Sequence, residues 1–431
     1  MSKAILKALP ELIDAGILTP ETAAKVEDYY KGKSTSADNR IFTIFGVFGA
    51  LLVALGIILI LAHNWDNFPR SVKTIFAFLP LLIGQVAAGY TLLKQSESTA
   101  WREASATFLF FTIAAAISLI SQIYNIPGNI SSFLVTWMLL SLPLIYLLRS
   151  SMLSLLYLCG ITYYGCEVGY WMRGAEFPIF YWIMLALALP FYLWRIRNKV
   201  SDNFMSFHHW FIPLTLIICL GTIYGDREII LLMTYFSLFS VLYLIGTLPY
   251  FERQRRFNNG YLLLGSVGMV MLLLYLSFDY YWDQGFEQLG ELMQTATLYS
   301  AEFLVSLLLT LVSGGILFWK KGNKIFDDFN PMEILLFVLI IVYIAGLNAP
   351  IIGVILINIL TLLIGIYYIR KGGRLDHLII LNYGLLTITA LIICRFFDTD
   401  LSFVLRGLLF VGVGLGFFYA NYTMLKKRRA G

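Results

Sequence analysis

The run Ile351–Ile369, IIGVILINILTLLIGIYYI, contains no charged residue and is closed by Arg370, Lys371 and Arg374. A helix rises about 1.5 Å per residue, so about 20 apolar residues cross a hydrocarbon core of about 30 Å. The run is therefore read as a transmembrane helix, and the chain repeats the pattern. Similar runs occur at Ile41–Ala62, Val72–Leu93, Ala104–Tyr124, Ser131–Leu148, Ser151–Trp171, Phe177–Trp194, Trp210–Tyr224 and Ile229–Tyr250. Others follow at Tyr261–Phe278, Tyr299–Trp319, Met332–Leu347, His377–Phe397 and Ser402–Leu425. The expectation is an all-α, polytopic transmembrane helix bundle of about fourteen spans. The fourth, seventh and eleventh runs are short enough that one could be re-entrant.

Composition points the same way. Apolar residues make up 59% of the chain and charged ones 13%, against about 45–50% and about 25% in soluble domains. The aromatic share of 16% suits Trp and Tyr at membrane interfaces. Of 31 basic residues, only Arg70, Lys73, Arg173, Arg227, Arg395 and Arg406 fall outside if the N-terminus is cytoplasmic. This positive-inside bias supports an even span count with both termini in the cytoplasm of a bacterial inner membrane. It also accounts for the net charge of +5 without a nucleic-acid partner. The basic tail, residues 426–431, reads as a topology anchor that can meet anionic lipid headgroups.

Residues 1–40 form the one sizeable soluble segment, and 41–425 the membrane domain. Gly16 can end a first helix, and Thr19-Pro20-Glu21 supplies a cap, a first-turn proline and an acid. The result is a short cytoplasmic helical hairpin, too small to bury a core alone. It should dock on the membrane domain, a partner or a second copy. The outer loop Asp279–Leu298 has acids at 279, 283, 287 and 291, no Lys or Arg, and apolar residues at helical spacing. A surface helix is expected there.

Two strings carry a resemblance. The first outer loop reads Ala62-His63-Asn64-Trp65-Asp66-Asn67-Phe68-Pro69, and the third span ends in Ser121-Gln122-Ile123-Tyr124-Asn125-Ile126. With the hairpin before them they resemble a prokaryotic multi-span family, domain of unknown function 2157, over roughly residues 1–150. The resemblance implies a bacterial multi-span protein and brings no reaction, substrate or cofactor.

Ionisable and strongly polar groups at membrane depth are functional candidates by default. His63, Asp66, Gln122, Tyr124, Glu167, Arg395 and Arg406 all fall in the outer third on this topology. Together they would line a polar cavity open to the periplasm. The bland readings are helix capping for His63 and Asp66, local pairing of Arg395 with Asp398 and of Arg406 with Asp400, and helix joining for Gln122. Glu167, inside an apolar run, must be protonated, paired or hydrated. Glu302 at a helix start is favourable without function.

His208-His209 lacks acidic neighbours for a metal, and Cys159, Cys166, Cys219 and Cys394 read as core packing residues. No HExxH, CxxC, Walker loop, GxSxG or dinucleotide fingerprint occurs, so neither metal nor cofactor is expected. Gly412 and Gly416 have the spacing of a close helix contact. Either these glycines or the hairpin would serve a homo-oligomer. Pro80, Pro143, Pro190 and Pro213 lie within spans and can kink them.

Three functions fit. A transporter or flippase-like carrier accords with many spans, little soluble mass and clustered outer polar groups. A membrane-embedded enzyme would act on a lipid-linked substrate. A non-catalytic scaffold or sensor would use the hairpin as its contact module. Membrane lipids, and a lipid-linked or small-molecule substrate, are the expected partners.

Overall fold

The computed structural model describes residues 9–27, 68–171, 176–198, 203–223, 228–252, 256–282, 299–322 and 330–396, with parts of 44–59 and 404–422. Among these residues there are helices and no strands. The chain divides into two compact units, Met1–His208 and His209–Gly431.

The first unit opens with short helical segments at 9–14 and 20–27. Gly16 lies between them at φ +68°, a left-handed conformation that suits glycine. The Thr19 hydroxyl oxygen accepts from the Thr22 N–H at 3.4 Å, a cap on the second segment. A further apolar helical segment covers Ile44–Val53. Then come α1 (Arg70–Lys94), α2 (Thr99–Tyr124), α3 (Ile130–Leu148), α4 (Ser151–Cys166) and α5 (Ile179–Arg197). The boundary between the units falls within α6 (Asn203–Leu220).

Local sequence sets these ends. Asn125 takes a left-handed conformation at φ 49° and stops α2. Asn129 and Ser132 form a reciprocal cap that starts α3, and the Ser150 hydroxyl caps α4. The short connections make α2, α3 and α4 antiparallel neighbours.

The faces of α1 are arranged for lipid. Its buried positions are Ala77, Pro80, Gly84, Ala88 and Thr91. Its exposed positions are large and apolar: Ile75, Leu79, Leu82, Val86 and Leu93. Water would penalise that surface, whereas hydrocarbon accepts it and small buried residues let helices approach closely. Gly84 shows the approach, since a Cβ there would meet the Leu109 backbone at 3.3 Å.

The second unit holds α7 (Glu228–Gly246), α8 (Gly260–Leu276), α9 (Ala301–Lys321), α10 (Pro331–Asn348), α11 (Pro350–Arg374) and α12 (Leu378–Phe396). Asn259, Ser300 and Asn330 cap α8, α9 and α10, and Pro331 and Pro350 begin their helices. The core is organised by Trp282, fully buried, whose indole N–H donates to the Leu276 carbonyl at 2.9 Å. Its ring lies against Gly346 and Gly353, where any Cβ would collide with it. Further along, α11 and α12 cross at Gly365 and Gly384.

Among the described residues, nine helices are long and apolar enough to cross a membrane, and Ile230–Gly246 and Gly260–Leu276 are shorter apolar helices. The chain is a multi-pass helical membrane protein. The fourth and eleventh runs are continuous helices of 19 and 18 residues. The seventh starts at Asn203 instead of Trp210 and continues through a 3-10 turn to Ile223, because the polar residues before Trp210 are already helical.

Two expectations change. Only Cys219 is buried, while Cys159 is exposed and Cys166 and Cys394 are intermediate; an apolar run in a membrane does not tell the packed face from the lipid face. A Cβ at Gly412 or Gly416 would meet nothing within 4 Å, so no close contact forms there among the described residues. The expected acidic surface helix lies outside the described residues beyond Trp282.

Candidate functional site

In the first unit, α1, α2 and α3 enclose a groove of about 1060 Å³. Its walls are apolar along most of their length, with Phe78, Ile113, Ala116, Ile120, Leu140 and Leu144. Polar side chains collect where α2 ends and α3 begins: Ser121, Gln122, Asn129 and Ser132. The wall of α3 from Ile130 to Leu144 covers roughly 20 Å at about 1.5 Å per residue. That exceeds one leaflet, about half of a 30 Å core. The groove thus has a polar lip and a long, mostly apolar interior in which Gln85 and Thr136 are polar wall residues.

The lip is well braced. Ser121 Oγ donates to the Ile126 carbonyl at 3.0 Å, and Asn129 Oδ1 accepts from Ser131 Oγ and from the Ser132 N–H, both at 2.8 Å. The Tyr124 and Thr74 hydroxyls lie 3.1 Å apart. Deeper down, the Trp137 indole N–H donates to the Phe110 carbonyl at 2.8 Å. This joins α3 to α2, and the two rings pack with centroids 4.5 Å apart.

At the opposite ends of these helices lies a buried polar cluster. Glu103 of α2 is 2% exposed. Its carboxylate accepts from Ser150 Oγ at 2.5 Å, the Ser151 N–H at 3.0 Å and the Met152 N–H at 2.9 Å. The acid therefore sits on the N-terminus of α4, where unpaired amides and the helix dipole favour an anion. Arg195 of α5 interacts favourably with it across the bundle. Nearby on the chain, His208 Nε2 lies 3.0 Å from Ser154 Oγ, and Nδ1 lies 2.7 Å from the Phe204 carbonyl. With its ring stacked on Tyr192, His208 is a satisfied core histidine.

The residues singled out from sequence separate as follows. Gln122 lines the groove, and Tyr124 braces the same end through Thr74. Glu167 opens a five-residue π-helical turn, Glu167–Trp171, that prolongs α4. It is half-buried and does not line the groove. Such turns recur at functional sites. Arg395 belongs to the second unit, where it reaches Ser277 Oγ at 3.5 Å and lies 5.0 Å from the Phe278 ring centroid. His63, Asp66 and Arg406 lie outside the described residues, as do Asp398 and Asp400. Glu302 stands in the first turn of α9, as expected.

The second unit contains a smaller polar pocket of about 250 Å³. The C-terminal ends of α7, α9 and α11 and the N-terminal ends of α8, α10 and α12 all contribute to it. Lys320 Nζ pairs with Glu333 Oε1 at 2.9 Å. Tyr243, Tyr368 and Asn330 form a hydrogen-bonded group, and Tyr383 donates to the Ser266 carbonyl at 3.1 Å. Lys371 lies on the wall. No group of three or more His, Cys, Asp or Glu suited to a metal occurs among the described residues.

Sequence reasoning missed Glu103, because the apolar run was started at Ala104. The N-cap residue type at Ser98, ahead of a helical pattern, would have drawn Glu103 inside the helix. Lys320 and Lys371 were read only as topology signals. Glu333, one residue inside the run Met332–Leu347, was visible as a charge within a span.

A family model described as predicted membrane protein (DUF2157) matches residues 10–154. No curated protein and no solved structure matches the chain. The matched stretch contains every residue that lines the groove, Glu103 and the Ser150 cap, and it stops within the first turn of α4.

Proposed function

We propose, taking the family match over residues 10–154 as the premise, that this protein is a flippase-like carrier of lipid or lipid-linked molecules. The observation that carries the reading is the groove of about 1060 Å³, polar at one lip and mostly apolar beyond it, where Gln85 and Thr136 are the polar side chains on the walls of α1 and α3. That division matches an amphipathic molecule: the chain lies along Ile113, Ala116 and Leu140, and the headgroup meets Gln122, Ser121 and Asn129. A soluble substrate would need polar groups along the path, and the walls supply few. Pro80 and Pro143 interrupt the hydrogen-bond ladders of α1 and α3, which gives two of the three walls a place to bend.

In this reading the chain sits in a bacterial inner membrane with about fourteen spans and both termini in the cytoplasm. The lip then faces the periplasm. Of the outer-end polar candidates, Gln122 lines this lip and Tyr124 braces the same end. The N-terminal hairpin is a cytoplasmic contact module that joins the membrane domain, a partner or a second copy.

The test is lipid redistribution in vesicles reconstituted with the purified chain. A fluorescent phospholipid in the inner leaflet should become accessible to a membrane-impermeant quencher faster than in empty vesicles. Thr136→Trp places a ring in the groove from an exposed position and should slow that exchange at least severalfold without loss of folded protein. Exchange no faster than in empty vesicles would sink the carrier reading.

A further inference from the structure

The pocket of the second unit presents two donors that find no full acceptor among the described residues. The first is a tyrosine hydroxyl. Asn330 Oδ1 accepts the Met332 N–H at 3.3 Å, which fixes the amide, so Nδ2 donates to the Tyr243 hydroxyl oxygen at 2.8 Å. The hydroxyls of Tyr243 and Tyr368 lie 3.2 Å apart. These two hydroxyls own two protons and share one bond. Whichever donates to the other, the second proton has no acceptor among the described residues. Both side chains are buried, at 4% and 8% exposure, where an unused donor is costly.

The second donor is Lys371. Its ammonium makes a long contact of 3.4 Å to the Tyr367 hydroxyl and lies 5.5 Å from that ring centroid. No carboxylate among the described residues pairs with it. Lys320 differs, because Glu333 neutralises it at 2.9 Å while leaving ammonium protons to donate. Glu252 lines the mouth but is exposed, where solvent and salt screen it.

We propose that this pocket binds a phosphoryl group. Donors approach from different helices: Tyr243 from α7, Lys320 from α9, Lys371 and Tyr368 from α11. A tetrahedral anion whose oxygens all accept meets such a set from several sides, whereas a planar carboxylate offers two oxygens in one plane. The volume of about 250 Å³ suits a small anion or one headgroup. On the orientation inferred from the basic residues this end faces the cytoplasm. There, free phosphate and anionic lipid headgroups both carry the required chemistry.

The test uses the full chain. Inorganic phosphate is titrated into protein in a nonionic detergent, with chloride holding the ionic strength constant, and heat of binding is recorded. In parallel, thermal unfolding is compared in nanodiscs of phosphatidylcholine with and without phosphatidic acid. Saturable binding of phosphate identifies a soluble anion. A shift only with phosphatidic acid identifies a lipid headgroup. In either case Lys371→Gln should weaken the response at least tenfold, and Lys371→Arg should largely keep it. The double change Tyr243→Phe with Tyr368→Phe removes the unused proton whichever hydroxyl carries it and should weaken the response severalfold, which decides the matter even if Lys371→Gln folds poorly. No saturable response to either probe, or a response of the doubly altered chain equal to that of the unaltered chain, overturns the assignment.

Discussion

Glu103 gathers two backbone N–H groups and one hydroxyl onto a carboxylate shielded from solvent, and its removal should be felt through the α4 terminus. Glu103→Leu leaves the Ser151 and Met152 amides and the Ser150 hydroxyl without their acceptor. A loss of about 3 kcal/mol or more is expected, since each buried donor left without an acceptor costs about 1–3 kcal/mol. Glu103→Gln keeps the shape but turns an NH2 toward a donor, and should cost about 1–3 kcal/mol. Denaturant unfolding in mixed micelles reads both, and equal stability of the leucine variant and the unaltered chain would remove Glu103 from its structural role. Sequence could show a carboxylate beside a span, yet not its partners, because Ser150 lies 47 positions away in the chain. Gln122 and Tyr124 were legible as span-end polar residues. Their division into groove lip and brace depends on how α1 and α3 pack, which no local pattern encodes.

At the scale of the helix, alternate faces matter more than the hydropathy that reveals the helix. Gly384 and Gly89 make the point as a pair. A Cβ at Gly384 would stand 2.6 Å from the Gly365 carbonyl oxygen and 2.7 Å from the Ile369 nitrogen, and one at Gly89 meets nothing within 4 Å. Backbone cannot step aside as a side chain can, so Gly384→Ala should force α11 and α12 apart and cost about 1–3 kcal/mol. Gly89→Ala should be neutral or stabilising by about 0.5–1 kcal/mol, since glycine weakens a helix interior. Opposite signs in thermal unfolding are the expected result; two changes of the same sign would break the packing argument. The sequence reading placed its close contact at Gly412 and Gly416, because spacing identifies a smooth stripe but not the face that meets a neighbour. Trp282 was equally hidden, since an aromatic just past a span reads as an interface anchor. Here it fills the core beside Gly346 and Gly353, and Trp282→Ala should destabilise by about 3–5 kcal/mol.

Across the whole molecule, the apolar runs carry the helical membrane architecture, because a bilayer imposes length on every span, and the basic residues carry the proposed orientation. Within the second unit this can be tested against geometry. If α7 to α12 alternate in direction, the segments after α7, α9 and α11 must share one side. Their ends do gather at one pocket, with Lys320 and Lys371 among its residues. On the proposed orientation, that side is the cytoplasmic one. In a chain cleared of its four native cysteines, a cysteine at Asp376, between α11 and α12, should therefore resist a membrane-impermeant maleimide in intact cells and react once the membrane is opened. A cysteine at Gly290, in the acidic segment after α8, should react in intact cells. The two sites are separated by α9, α10 and α11, an odd number of crossings, so they must lie on opposite sides if each helix spans. Labelling of both sites in intact cells, or of neither, would mean that one of these helices does not cross. Reversed labelling would keep the crossings and invert the orientation, moving the phosphoryl pocket to the outer face.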